Sequence, residues 1–186
     1  MGISRSGYNL LTRPFSDLAT TGTPNAAIFS AGFFFVPGVL TIVLGIGLWT
    51  TVRGGVLWRL GAAMVVFAGV FLVGTGVFPQ DPHSVIAGVL HGTVSQVCFA
   101  IASAAPLVLF SGSRSGVDGP LPRRVWLALG VAALGIEAFG LLVRPALHLP
   151  YGVFQRPFTL VLSAFFVTTG FWLLRGRQTA GLSVPD

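Results

Sequence analysis

The sequence predicts an all-α protein: a polytopic bundle of five transmembrane helices behind a short leading segment. Two observations predict it. Charged residues are only 9% of the chain and hydrophobic residues 53%, whereas a soluble domain normally carries about 25% charge. The apolar residues also gather into five runs, each long enough to cross a hydrocarbon core of about 30 Å. Every run should be helical, because backbone in lipid has no water to bond and must pair its own N–H and C=O groups.

Residues 1–25 form the leading segment. Met1 to Leu18 lacks a continuous apolar core, so no signal peptide is expected. Spans A to E follow at roughly 26–51, 56–78, 85–110, 125–147 and 152–174. They make up a membrane domain over 26–177, with 178–186 as a tail. Pro79 and Pro82 break the chain between B and C. Asp81 is a candidate acceptor for the free N–H groups where span C begins, with Ser84 as the alternative N-cap. Gly88 and Gly92 flank His91 as a small-xxx-small pair, which predicts close packing of another helix there.

Five crossings put the A–B turn, the C–D loop and the tail at one end. That end carries Arg53, Arg59, Arg114, Arg123, Arg124, Arg175 and Arg177. Excess arginine marks the cytoplasmic side. The chain is therefore expected in a cell membrane with its C-terminus cytoplasmic. The N-terminal segment, with Arg5 and Arg13, is then extracytoplasmic, as are Asp81 and His148.

Composition also excludes chemistry. There is no lysine, so no Schiff base can form and retinal or pyridoxal cofactors are excluded. The arginines are spread over helix ends and make no stripe for nucleic acid. Cys98 is the sole cysteine, which excludes an internal disulfide or a cysteine-based metal site. Its apolar neighbours suggest core packing. Asp81, His83 and His91 lack a ligand spacing such as i, i+4, so no metal is expected. No cofactor is expected either.

The functional signal lies in the polar residues inside the spans. A charge near the bilayer centre costs at least about 2.5–3.5 kcal/mol, so it faces protein and has a partner. Glu137 falls at the centre of span D, opposite Gln96 in C and Ser163 in E. It reads either as interhelical hydrogen-bonding glue or as a proton-relay or catalytic group. His91, Arg144 and Arg156 lie about 9–12 Å from the midplane at 1.5 Å per residue, all toward the extracytoplasmic end and just below Asp81. Each arginine alone is compatible with snorkelling to headgroups. As a set they suggest a polar pocket. Glu137 and Arg144, seven apart, should share a face and form a polar column. His91 alone also reads as a neutral core histidine with one hydrogen bond. Ser16 and Asp17 either cap a short helix or fold over the mouth of the bundle.

Taken together, several motifs resemble the multi-pass membrane family known as domain of unknown function nine-nine-eight. They are Tyr8…Phe15-Ser16-Asp17-Leu18, Gly76-Val77-Phe78-Pro79-Gln80-Asp81, His91-Gly92, and Gly152-Val153-Phe154-Gln155-Arg156…Trp172. The resemblance implies a six-helix plan in which the Ser-Asp-Leu element follows a first helix. This chain would begin about where that helix ends. It also implies that Ser16, Asp17, Asp81, His91, Gln155 and Arg156 belong together.

The leading expectation is a membrane protein with a polar pocket near the outer leaflet, binding an anionic or lipid-borne group. Ser16, Asp17, Asp81, His91, Arg144, Gln155 and Arg156 are the ligand-binding candidates, and two guanidinium groups suit a carboxylate or phosphate. The second reading is an intramembrane enzyme acting on a lipid or prenyl-like substrate, with Asp81 or Glu137 as acid or base and His91 as proton shuttle. The third is an accessory subunit of a larger membrane complex. The expected partners are membrane lipids, a small anionic or lipid ligand, or another membrane subunit, and no nucleic acid.

Overall fold

A computed structural model of the chain describes residues 8–9, 11–51, 55–113 and 120–181, without the side chains of 51, 120–122 and 176–181. Arg5, Arg53 and Arg114 lie outside the described residues, as do the Arg177 side chain and residues 182–186. A 3₁₀ helix, Phe15–Ala19, comes first. Five helices long and apolar enough to cross a membrane follow: α1 (Ala26–Thr50), α2 (Val56–Val77), α3 (Val85–Gly112), α4 (Arg123–Ala146) and α5 (Tyr151–Arg175). They match the five apolar runs of the sequence to within a few residues. Among the described residues every regular element is helical.

Prolines shape these helices. Single π turns, Ala31–Phe35 and Phe139–Val143, lie just before Pro37 and Pro145. A proline removes one N–H and crowds the carbonyl four residues back. Widening the helix locally accommodates both effects. The turn in α4 has a further consequence. Its extra residue rotates everything after it by about 100° relative to a regular helix. The seven-residue spacing from Glu137 to Arg144 therefore does not hold one face, and the expected column does not form.

Each span packs on the next, and α5 closes the bundle with sparser contact to α1 and α3. Small residues set the tightest approach. A Cβ at Gly69 would stand 2.6 Å from the carbonyl oxygen of Gly38, so α1 and α2 meet backbone to backbone. Gly69→Val is accordingly expected to destabilise the bundle by about 1–3 kcal/mol, read as a fall in thermal midpoint in detergent. The Gly88–Gly92 pair behaves otherwise. Nothing lies within 4 Å of where their Cβ atoms would be, so the close crossing expected there is absent. Both glycines are exposed beside the buried His91, with Gly88 bordering an outer cleft and Gly92 a polar space inside the bundle.

Two clusters form the interior. One joins Leu48, Trp58, Val65, Leu109, Trp126 and Phe165 toward the arginine-rich end. The other joins Ala68, Ala102, Ala133, Phe158 and Leu162. Between the second cluster and the N-terminal segment the packing opens into a polar space.

Candidate functional site

The roof of this space is the N-terminal segment, and its sequence explains how it is held. Tyr8 donates from its hydroxyl to Pro14 O at 3.0 Å, which folds the chain back on itself. The 3₁₀ helix then turns Ser16, Leu18 and Ala19 inward, where all three are buried. Phe15 stacks on Phe33 of α1 with ring centroids 5.3 Å apart. Thr21 N–H donates to Gln80 O at 2.9 Å, tying the segment to the α2–α3 connection.

α5 supplies the main latch. Gln155 Oε1 accepts from the Phe15 N–H at 2.7 Å. Arg156 donates to Arg13 O at 3.0 Å and, more weakly, to the Tyr8 hydroxyl at 3.4 Å. It also donates to Gly152 O at 2.8 Å within its own helix. Its guanidinium lies 4.9 Å from the centroid of the Phe15 ring. Gly152 is what lets the segment lie so close: a Cβ there would stand 2.6 Å from Arg13 O. Four members of the motif set, Phe15, Ser16, Gln155 and Arg156, thus meet at one seam.

Beneath the roof is a cavity of about 320 Å³. Ser16 lines it from above, Thr75 from α2, His91, Ser95 and Gln96 from α3, and Tyr151 and Gln155 from α5. Phe34, Leu72 and Phe99 make its apolar floor. The His91 ring is oriented by its bond from Nδ1 to Phe78 O at 2.8 Å. A carbonyl only accepts, so Nδ1 is the donor, and in a neutral ring Nε2 is left as an acceptor. Nε2 and the Ser16 hydroxyl have no protein partner among the described residues. Both are open to a hydrogen-bonding ligand or to solvent.

Gln96 connects the cavity to Glu137. Its Nε2 donates to Glu137 Oε1 at 2.9 Å, and Ser103 Oγ donates to Oε2 at 2.7 Å. Ser103 is also 2.8 Å from Phe99 O, so its single hydrogen serves one oxygen at a time. Glu137 is buried and bridges α3 to α4. Gln96 was the partner anticipated from depth. Ser163 is exposed instead, and Ser103 takes the second position. Ser103 lies seven residues after Gln96, a spacing that places both on one face of α3, so a signal for it was present in the sequence.

The remaining candidates lie elsewhere. Asp17 and Asp81 face a separate surface cleft of about 360 Å³ on the other side of the segment, shared with Arg13, Thr20 and Gly88. Asp81 Oδ1 accepts from His83 N–H at 2.8 Å, while Ser84 is the N-cap of α3 and accepts from Ala87 N–H at 3.3 Å. Asp17 lies 3.6 Å from Arg13 as an ion pair. Arg144 donates to Gly140 O and Leu149 O and stands 5.2 Å from the Tyr151 ring centroid, capping the end of α4. Ser16, His91 and Gln155 therefore line one cavity, Asp17 and Asp81 line an outer cleft, and Arg156 fastens the segment between them. Tyr151, Thr75 and Gln80 also border the cavity. Nothing in the local sequence marks Tyr151 and Thr75, because helix rotation decides what faces inward, whereas Gln80 stands within the Gly76–Asp81 motif. Among the described residues no three His, Cys, Asp or Glu side chains group as metal ligands.

Five apolar helices around a polar cavity, roofed by a latched segment, define a polytopic membrane helix bundle. The chain belongs to the family described as Protein of unknown function (DUF998), whose model matches residues 1–172. No curated protein and no solved structure matches it.

Proposed function

We propose that the protein binds the polar group of a membrane lipid in the cavity beneath its N-terminal segment. The observation that carries this reading is the cavity's wall: hydrogen-bonding side chains from α2, α3, α5 and the segment converge on a space of about 320 Å³ inside a membrane bundle. That volume stands at the low end of ligand pockets, about 300–1,000 Å³. Convergent polar groups over an apolar floor fit the head of an amphiphile. Arginines 59, 123, 124 and 175 at the far end support an extracytoplasmic position for the cavity end in a cell membrane. The acid–base reading has less support. Asp81 faces the outer cleft rather than the cavity, and Glu137 is already engaged by Gln96 and Ser103.

The test fills the cavity. Ser95 is half-buried on its wall and makes only a long 3.4 Å bond to Thr75. Ser95→Leu is therefore expected to leave folding intact and to lower the lipid retained through purification by about tenfold or more. Lipid extraction with quantitative mass spectrometry reads this. Equal retention by wild type and variant, with unchanged thermal midpoints, would refute the proposal.

A further inference from the structure

We infer that the lipid is uncharged at its head and lays a single hydrocarbon chain in a groove between α1 and α5. This rests on the cavity reading above and specifies its ligand.

The groove holds about 250 Å³ and adjoins the cavity, with Phe34, Leu72, Phe99 and Gln155 lining both. Its other walls are mostly apolar, with Pro37 from α1, Ala68 from α2, Ala102 from α3, and Leu162 and Phe166 from α5, and Thr41, Thr159 and Ser163 add hydroxyl groups. A polar chamber beside an apolar channel, with side chains in common, has the two-part chemistry of an amphiphile.

Its length fits one leaflet. From Gln155 to Phe166, α5 advances about 16 Å at 1.5 Å per residue. Half of a hydrocarbon core of about 30 Å is nearly the same distance. A chain whose head occupies the cavity would reach the midplane at Ser163 and pass it by about 5 Å at Phe166. The groove also has a route in from the bilayer. It lies where α5 packs sparsely on α1 and α3, and its rim carries Phe33, 40% exposed, and the exposed Ser163. A lipid chain can move sideways into it without crossing the polar end.

Charge decides the head. No arginine, aspartate or glutamate lines the cavity. Arg156 and Arg144 both direct their guanidinium groups at backbone carbonyls. A phosphate or carboxylate entering the cavity would lose its hydration and would meet no guanidinium, with the His91 imidazole as the one basic side chain on the wall. Hydroxyl, ester or amide groups would meet the Ser16, His91 and Gln155 side chains as hydrogen-bonding partners.

The test uses the delipidated full chain in detergent, titrated with mono-oleoylglycerol and with lysophosphatidylglycerol of the same chain, read by native mass spectrometry. Wild type is expected to bind one mono-oleoylglycerol, at least about tenfold more tightly than the anionic lipid. Ser163→Trp plugs the groove from its lipid-facing rim, and Thr41→Phe narrows it from α1. Each is expected to weaken mono-oleoylglycerol by about tenfold or more. A diazirine at the chain terminus should label wild type near Ala102 and Phe166, which reads chain position without any variant. Labelling confined to outward-facing residues, or undiminished affinity in both plugged variants while Ser95→Leu still loses the lipid, would overturn the groove and leave the cavity reading standing. Equal or tighter binding of the anionic lipid would overturn the neutral head. Failure of wild type to bind either lipid would sink both proposals.

Discussion

Trp126→Ala is expected to lower the stability of the bundle by about 3–5 kcal/mol. Trp126 is 1% exposed and lies at the meeting of three indoles, 5.7 Å from Trp58 and 5.3 Å from Trp172 between ring centroids. Lipid is as apolar as the core, so helices in a membrane gain little from burying apolar surface. Dispersion contacts and hydrogen bonds carry the association, and removing an indole takes away dozens of the former at once. It also removes the donor that Trp126 Nε1 provides to Thr169 Oγ1 at 2.9 Å. Trp126→Phe separates the two contributions. It keeps most of the ring contact and strands only the fully buried Thr169 hydroxyl, at about 1–3 kcal/mol. Thermal or denaturant unfolding in detergent measures both. A loss below 1 kcal/mol for the alanine variant would mean that the aromatic cluster does not hold this end of the bundle together.

The second large effect is expected at the opposite end and is local. Arg156→Ala should release the N-terminal segment while leaving the five helices packed. The bond to Arg13 O and the contact with the Phe15 ring span segment and α5. Charged hydrogen bonds contribute about 1.5–3 kcal/mol and cation–π contacts about 0.5–2 kcal/mol. Their loss should favour segment opening by about 2–4 kcal/mol, or roughly 30- to 700-fold. The Phe15 amide, held by Gln155 Oε1 at 2.7 Å, should exchange its hydrogen faster by that factor. Amides in α2 and α3 should keep their protection, because segment opening and global unfolding are separate events. Arg156→Lys should recover only part of the protection, since an ammonium can reach one carbonyl but lacks the planar fork and ring stacking of guanidinium. Unchanged exchange at Phe15 in Arg156→Ala would show that Arg156 does not fasten the roof.

The candidate residues differ in how far the sequence revealed them, and the differences have physical causes. Glu137 and Gln96 were legible together because depth in a bilayer follows from residue position at a fixed rise, and two polar groups at the same depth seek each other. Gln155 was legible only as part of a motif, and Arg156 by its depth in span E but not by its partners. Their contacts with Phe15 and Arg13 span more than a hundred residues, and no spacing rule covers that distance. Arg144 was misleading because a single π turn ahead of Pro145 shifts its direction. The Gly88–Gly92 pair misled in another way. A small-residue stripe permits close packing but does not say whether a neighbour occupies it, and the close approach was made instead at Gly38 and Gly69.

What the sequence by itself determined is the number of crossings, their limits and their helical form. Those follow from hydrocarbon thickness and from the demand that every backbone polar group be satisfied within its own run, both of which act on local composition. Tertiary structure alone decided how each helix is rotated. Rotation depends on which distant side chains interlock, and it turns Ser16, His91 and Gln155 toward a shared space while sending Asp81 to the far side of the roof. The cavity and the groove beneath it exist because the last helix touches the first and third only lightly, a property of the assembled bundle that no single span encodes.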